Sequence, residues 1–420
     1  MQLAVIVLFF VFILIAVRRI GHVRLPIWGI MTAGAVVVLL LGQISISDAF
    51  FAVQWETILF LFGMFVIGAA IDLSGLLRSY ADSFFSGIRS QKKMLFCFIF
   101  AAGFFSAILM NDTVAIIGTP FALWCAKRYN MPAKTMLFAL AAAVTTGSVA
   151  SPIGNPQNLL IASSGISDPF LQFLYYLFIP TAIGLLMVYV LLAWSLKYNK
   201  TICKNPVLDE KGETVGCEVP NEQKASSGFI LLTKISVVVV FVMIALLIAS
   251  SIAGYDFLLL FIAVAGALPL LIFSNRRVEL IQKVDWTTLL FFVSMFILMK
   301  AVYDTGFFQN LLPTGFETSV PVLYLTSVVI SQFISNVPYV TFVLPVLENA
   351  AAPIVSYMTL VAGSTLAGNL SIFGAASTII IIQNAEKQKE TLTFTDFLKF
   401  GVPLTVAQTI LFVGWLMLLS

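Results

Sequence analysis

Charge, histidine and cysteine are what this chain has little of, and each scarcity closes a class of function. Only 10% of the 420 residues are charged, against about 25% in a soluble domain, while 60% are apolar. A water-soluble globular domain is excluded by that balance. The single histidine, His22, stands among Arg18, Arg19 and Arg24 and reads as a solvated interfacial residue. It leaves no Ser–His pair for an intramembrane enzyme. Of the four cysteines, Cys97 and Cys125 lie in apolar segments, and Cys203 and Cys217 in a polar stretch without a histidine nearby, which argues against a metal site. No Gly-rich phosphate loop, CxxC pair or HExxH appears, and a net charge of +3 gives nucleic-acid binding no support.

What is present is a series of uncharged apolar runs at or near the ~20 residues a spanning helix needs. The expectation is an all-α polytopic membrane protein with lipid as its surroundings. Residues 2 to 16 resemble a secretory signal in length. Arg18 and Arg19 follow the run rather than precede it, and no small-residue cleavage site comes after, so the segment reads as a retained span. Ten full spans are expected near 2–17, 25–41, 55–72, 135–163, 175–196, 229–250, 257–274, 286–300, 358–384 and 397–419. This layout puts all of the 23 Lys and Arg except Lys300 on one side. The positive-inside rule makes that side the cytoplasm of a cell membrane. Both termini then lie outside, as do Asp48, Asp168, Asp256, Asp304 and Glu317, and the polar linker 197–228 is cytoplasmic.

Two apolar segments do not fit one crossing. As a single helix, residues 94 to 126 would reach about 50 Å at 1.5 Å per residue, well beyond a hydrocarbon core of ~30 Å. Lys92 and Lys93 precede the segment and Lys127 and Arg128 follow it. Basic flanks at both ends predict a re-entrant hairpin with MNDT (110–113) at its tip; two short spans with a tight turn are the alternative. Residues 320 to 356 repeat the form from the opposite side, with SNVP (335–338) at the tip and Glu348 as the only charge.

The chain also repeats itself. WETILFLFGMFV (55–66) resembles WTTLLFFVSMFI (286–297), SAILMNDTVAIIGTP (106–120) aligns with SQFISNVPYVTFVLP (331–345), and SPIGNPQNLLI (151–161) aligns with SIFGAASTIII (371–381). Three blocks in one order at nearly constant spacing predict two halves, 1–196 and 229–420, joined by the linker. Each half has an odd number of crossings, so the halves are expected to be inverted repeats. Within 135–163 the run SPIGNPQN holds Pro152, Gly154 and Pro156, which cannot sustain a helix. A broken helix is expected there and another in 358–384.

Inverted repeats with paired discontinuous helices recur in secondary transporters, with substrate and ion near the midplane. The backbone freed at 152–156 is expected to be satisfied by a ligand. Asn155 is placed to cap a new half-helix, and Asn111 or Asp112 and Ser335 or Asn336 to cap the returning arms. Half-helix N-termini carry roughly +0.5 charge each and favour an anion, while hydroxyls and unwound carbonyls suit sodium. The bland alternative is that these prolines and glycines only kink packed helices.

NDTVAIIGTP, SPIGNPQN, SQFISNVP and the AGN of 367–369 resemble the ion transporter superfamily. Its members include arsenite permeases, NhaD-type sodium/proton antiporters, citrate carriers and divalent-anion/sodium symporters, and the motifs look closest to the arsenite-permease-like branch. The resemblance implies a fixed scaffold, a transport body carrying both hairpins, a homodimer, elevator-like alternating access, and sodium or proton as coupling ion with no other cofactor. It implies a site for a small anion or oxyacid drawn from Asn111, Asp112, Thr113, Ser151, Gly154, Asn155, Asn158, Ser335, Asn336, Asn369, Ser371, Gly374, Ser377 and Thr378. Sodium is expected at Asn111, Asp112 and Asn336. Divalent-anion symporters carry Ser-Asn-Thr at both tips, whereas here Asp112 adds a charge and Val337 lacks a hydroxyl. Asp112 reads as the coupling residue, with a plain helix cap as its alternative. A sodium/proton antiporter, an arsenite-type efflux permease and a channel are the competing functions.

Overall fold

The structure is a computed structural model that describes residues 2–17, 19–20, 23–24, 26–76, 88, 90–198, 226–252, 259–307 and 315–420. His22, Asp256, the pair Cys203 and Cys217, and nearly all of the linker 197–228 lie outside the described residues. The chain is helical, as an apolar sequence in hydrocarbon must be, because a helix satisfies its own backbone. The one departure among the described residues is a minimal antiparallel pair, Arg19–Ile20 with Val23–Arg24, after the first helix.

Helices α1 (Gln2–Val17), α2 (Ile27–Leu40) and α4 (Trp55–Ser74) open the chain. Between the last two sits a short helix that periodicity could not reveal, α3 (Ile46–Ala52). Helices α5 (Gln91–Leu109) and α6 (Asn111–Arg128) form the first hairpin, with α7 (Ala133–Ser148), α8 (Pro156–Ala162) and α9 (Pro169–Tyr198) behind them. After the linker come α10 (Ser227–Ile252), α11 (Leu260–Phe273), a second short helix α12 (Arg277–Lys283), and α13 (Trp286–Tyr303). The second hairpin is α14 (Val320–Ile334) and α15 (Asn336–Asn349). Helices α16 (Ile354–Leu366), α17 (Ala376–Lys387) and α18 (Phe394–Leu418) end the chain.

Six of these, α4, α5, α9, α10, α13 and α18, are long and apolar enough to cross a membrane. Helices α1, α2, α11 and α14 are apolar but shorter. The expected end of the second hairpin at 356 is corrected: the chain turns at 350–353, and Pro353 starts α16 at Ile354.

The spacing that separates Trp55 from Trp286 also separates α3 from α12. In both places the indole folds back on the short helix: Trp55 Nε1 donates to the Phe50 carbonyl at 3.2 Å and Trp286 Nε1 to that of Ile281 at 2.9 Å. The repeated block is therefore longer than WETILFLF and WTTLLFFV reveal.

Packing sorts the helices into two groups. Helix α4 lies against α10, α11 and α12, and α13 against α1, α2 and α3. The other group is built on the two hairpins. Helices α5, α6 and α9 surround α7, while α14, α15 and α18 surround α16. The short half-helices cross over between these sets, α17 packing on α6 and α8 on α15. Small residues permit the closest approaches, as expected where van der Waals contact drives association. A Cβ added at Gly147 of α7 would stand 2.3 Å from the backbone of Gly103 in α5.

Candidate functional site

Both hairpins do reverse at the expected tips. Gln91 Nε2 at the start of α5 donates to the carbonyls of Tyr129 and Asn130 beyond the end of α6, so the two ends are neighbours. In the second hairpin Tyr339 of α15 bonds Thr326 at 3.2 Å across the arms. Each reversal is made by one residue with left-handed φ and extended ψ: Met110 (φ 67°, ψ 142°) and Ser335 (φ 72°, ψ 159°). A side chain held in such a region costs about 1–3 kcal/mol and clusters at functional sites. The same unfavourable geometry at matched positions of both tips aligns the first amides of α6 and α15 with the turn.

The expected caps are corrected here. Met110 and Ser335 hold the cap positions, and neither side chain accepts a helix amide. Asn111 and Asn336 are the first helical residues instead. Both are buried, and Asn111 Oδ1 and Asn336 Oδ1 have no hydrogen-bond partner. A buried acceptor without a donor costs about 1–3 kcal/mol, and here two of them stand at equivalent positions of the two tips. Asp112 follows Asn111 and makes no hydrogen bond or ion pair among the described residues. The charge acting on it is another carboxylate, Asp285. Among the described residues no basic side chain pairs with Asp112. Thr113 packs on α4, where a Cβ at Gly68 would come within 3.0 Å of its Oγ1.

The first break is closed. Asn155 caps α8, its Oδ1 accepting the Asn158 amide at 2.8 Å, with Pro156 in the first turn. Asn155 Nδ2 donates to Ser148 Oγ at 3.1 Å and to Thr365 Oγ1 at 3.2 Å. Asn158 Nδ2 donates to the carbonyls of Ser148 and Ser151, at 2.9 and 3.0 Å, and its Oδ1 accepts from Thr365 at 3.0 Å. The Gly154 carbonyl accepts from the Asn111 amide at 2.9 Å. The expectation that a ligand satisfies the broken backbone at 152–156 is thus corrected at Gly154, whose carbonyl, like those of Ser148 and Ser151 before it, finds its partner inside the protein. Gly154 is required because a Cβ there would lie 2.4 Å from the Ser148 oxygen.

The second break is more open. Two 3-10 turns, Ala367–Asn369 and Ile372–Gly374, lead to α17, whose cap position is Ala375 with no side chain to offer. Gly374 makes the same close approach as Gly154, here 2.4 Å to the Ala367 oxygen. Ser371 Oγ donates to Gln332 Oε1 at 2.8 Å, and Gln332 Nε2 to the Ala367 carbonyl at 2.8 Å. Asn369 Nδ2 donates to Thr146 and Gln408, at 3.0 and 2.8 Å. Asn369 Oδ1, Ser377 Oγ and Thr378 Oγ1 are buried without partners.

The fourteen expected residues therefore divide. Asn111, Asp112, Asn336, Asn369, Ser377 and Thr378 keep free polar atoms, whereas Ser151, Gly154, Asn155, Asn158, Ser371 and Gly374 build the breaks. Ser335 sets the tip and Thr113 the contact with α4. No hydrogen bond among the described residues joins Asn155 to Asn336. Thr365, Gln408 and Gln332 join these networks as well, and a lone amide in an apolar helix such as α18 is itself a signal.

The family model described as citrate transporter matches residues 8–356. The chain is 26% identical to the 46 kDa membrane protein of Mycobacterium leprae, over 89% of each chain. It is also 26% identical to the silicon efflux transporter LSI3 of Oryza sativa subsp. japonica, over 90% of this chain and 89% of that one. Its fold resembles the solved YdaH transporter of Alcanivorax borkumensis, with a TM-score of 0.60 and 15% identity over 99% of this chain and 97% of that one.

Proposed function

The chain belongs to the citrate transporter family of the ion transporter superfamily, and from that premise we propose an ion-coupled secondary transporter for a small anion or oxyacid. The observation that carries this reading is the pair of buried, unpartnered Asn111 and Asn336 oxygens at two matched, strained tips. Sodium fits there, bound by amide oxygens together with the Asp112 carboxylate; a proton on Asp112 is the other coupling species. The N-termini of α15 and α17, which no side chain caps, offer amides to an anion. Asn369, Ser377 and Thr378 add polar atoms from the second break. The arsenite-permease-like motifs favour an oxyacid within that class. Sodium/proton exchange is the second reading, favoured by the unneutralised Asp112.

The architecture proposed is two inverted repeats, 1–196 and 229–420, with ten spans and two re-entrant hairpins. The packing group of α4 and α13 serves as scaffold and the hairpin group as the moving body, in a homodimer of the cell membrane with both termini outside. Same-side contacts support this layout. Lys134 pairs with Asp396 at 2.6 Å and Lys283 with Asp72 at 2.9 Å, all four assigned to the cytoplasm. Trp415 bonds the Tyr176 carbonyl at 2.9 Å, both near the outer ends of their expected spans.

Thermal unfolding of the purified protein tests the function. A small carboxylate or oxyanion at a hundred times its Kd should stabilise by about 2.7 kcal/mol, and more in sodium or at low pH than without the coupling ion. No stabilisation by citrate, dicarboxylates, arsenite or silicate under either condition overturns the reading. Cysteine labelling tests the layout. In a background without native cysteines, Lys93→Cys and Arg128→Cys should both resist external impermeant thiol reagents in intact cells. Reaction at only one of them refutes the re-entrant hairpin.

A further inference from the structure

The cavity described in the structure lies away from the tips. About 270 Å³ in volume, it opens between α13 and α15, with Ala52, Gln54 and Leu160 at its edge. Its walls are apolar, formed by Phe296, Met299, Leu344 and Pro345, and two charges line it: Lys300 on α13 and Glu348 on α15. Lys300 is the one basic residue that the layout puts outside, and Glu348 is the one charge of the second hairpin.

The two helices touch at both ends of this cavity and part between them. At one end Thr341 Oγ1 meets Met295 Sδ at 3.9 Å, and at the other Asn349 donates to the Tyr303 hydroxyl. Lys300 is one turn from Tyr303, and Glu348 is next to Asn349. The charges therefore stand on facing helices at the same level. In this conformation they are not paired with each other. Lys300 Nζ is held by Asp304 at 2.6 Å, an i,i+4 pair on the surface, with both side chains nearly half exposed. Glu348 is exposed, and its carboxylate makes no hydrogen bond or ion pair among the described residues. Pro345, inside α15 at the cavity wall, lacks the amide of a helix hydrogen bond and so weakens the arm there.

We infer that Lys300 and Glu348 form an exchangeable charge latch: as the cavity closes, Lys300 leaves Asp304 for Glu348 and locks α15 against α13. This rests on the reading of α13 as scaffold and of the second hairpin as part of the moving body. The physical logic is a comparison of surroundings. Exposed pairs such as Lys300–Asp304 are weak and screened, so Lys300 is readily released. The same ammonium against Glu348 inside an apolar, water-excluded gap is screened far less. With both signs of charge on its lining, the cavity is poorly suited to attract an anion as a simple vestibule. Opposite charges on facing helices suit a contact that forms in one state of the carrier and breaks in the other.

The test uses Thr341→Cys, a near-isosteric change on the cavity lining, in the full chain without its four native cysteines. The probe is a neutral, membrane-impermeant polyethylene-glycol maleimide applied to intact cells, with labelling rates normalised to protein at the surface. Glu348→Gln and Lys300→Glu should each speed labelling about threefold, the scale of an ion pair of this kind. The double variant Lys300→Glu with Glu348→Lys should restore the original rate. Asp304→Asn frees Lys300 for Glu348 and should slow labelling. A purely electrostatic effect on the thiol predicts the opposite for two of these, slower labelling in Lys300→Glu and faster in Asp304→Asn. Equal rates in all variants, or those opposite signs, overturn the latch and leave the transporter reading intact. Labelling of Thr341→Cys only after permeabilisation overturns the membrane layout, and the latch with it.

Discussion

Asp112→Asn is expected to abolish ion-driven accumulation of substrate while leaving one-for-one exchange in place. The substitution keeps the shape and the polarity of the side chain and sets its charge to zero. An ionised group at mid-membrane, where Asp112 is proposed to stand, costs at least ~2.5–3.5 kcal/mol on insertion scales, and among the described residues no basic side chain pairs with it, Asp285 being the charge that acts on it. A cation or proton from outside the protein is then the remaining partner. One charge moved through 100 mV supplies about 2.3 kcal/mol, so removing that charge from the cycle should lower accumulation about fiftyfold at that voltage. Proteoliposomes with an imposed sodium or proton gradient give the measurement, with exchange of labelled substrate at zero gradient as the control. A variant that accumulates substrate as wild type does, with the same ion dependence, would show that Asp112 is only part of the helix start.

The second large effect is a contrast between two asparagines that look alike in the sequence. Asn155→Ala removes a helix cap, usually worth about 0.5–2 kcal/mol. It also removes the hydrogen bonds that Asn155 Nδ2 gives to the buried hydroxyls of Ser148 and Thr365, which keep their other partners Thr145, Asn158 and Gln157. With each lost hydrogen bond at about 0.5–1.5 kcal/mol, the combined loss should reach about 3 kcal/mol, seen as a lower unfolding temperature and poor yield. Asn336→Ala removes an oxygen that has no partner, so stability should change little, and transport should fall at least about tenfold through loss of a ligand contact worth 1.4 kcal/mol or more. Unfolding temperature and uptake, measured on the same preparations, separate the two. Asn336→Ala with wild-type uptake removes it from the site, and Asn155→Ala with wild-type stability contradicts the closed break.

Much of this architecture was legible because hydrocarbon imposes strong local rules. An uncharged apolar run must be helical, which places α4, α9, α10, α13 and α18 within a few residues of their expected limits. Proline and glycine interrupt helices through their own covalent structure, so the breaks at 149–155 and 367–375 follow from short stretches of chain, while the reversals near 110 and 335 follow from apolar runs too long for one crossing. The repeated blocks located equivalent positions for the same reason. Helices α3 and α12 escaped because seven residues carry too little periodicity, and they became visible only through the indoles folded onto them.

What the sequence determined by itself was a polytopic helical protein, its points of interruption and the small polar residues gathered at them. Which of those residues remain available to a ligand was decided only by the tertiary structure. Asn155 is satisfied by Thr365, distant in sequence and brought near by packing, whereas Asn336 Oδ1 and Ser377 Oγ meet no such partner. A local backbone preference is written in adjacent residues. A hydrogen bond depends on which atom stands about 3 Å away, and that is a property of the packed helices rather than of the residue.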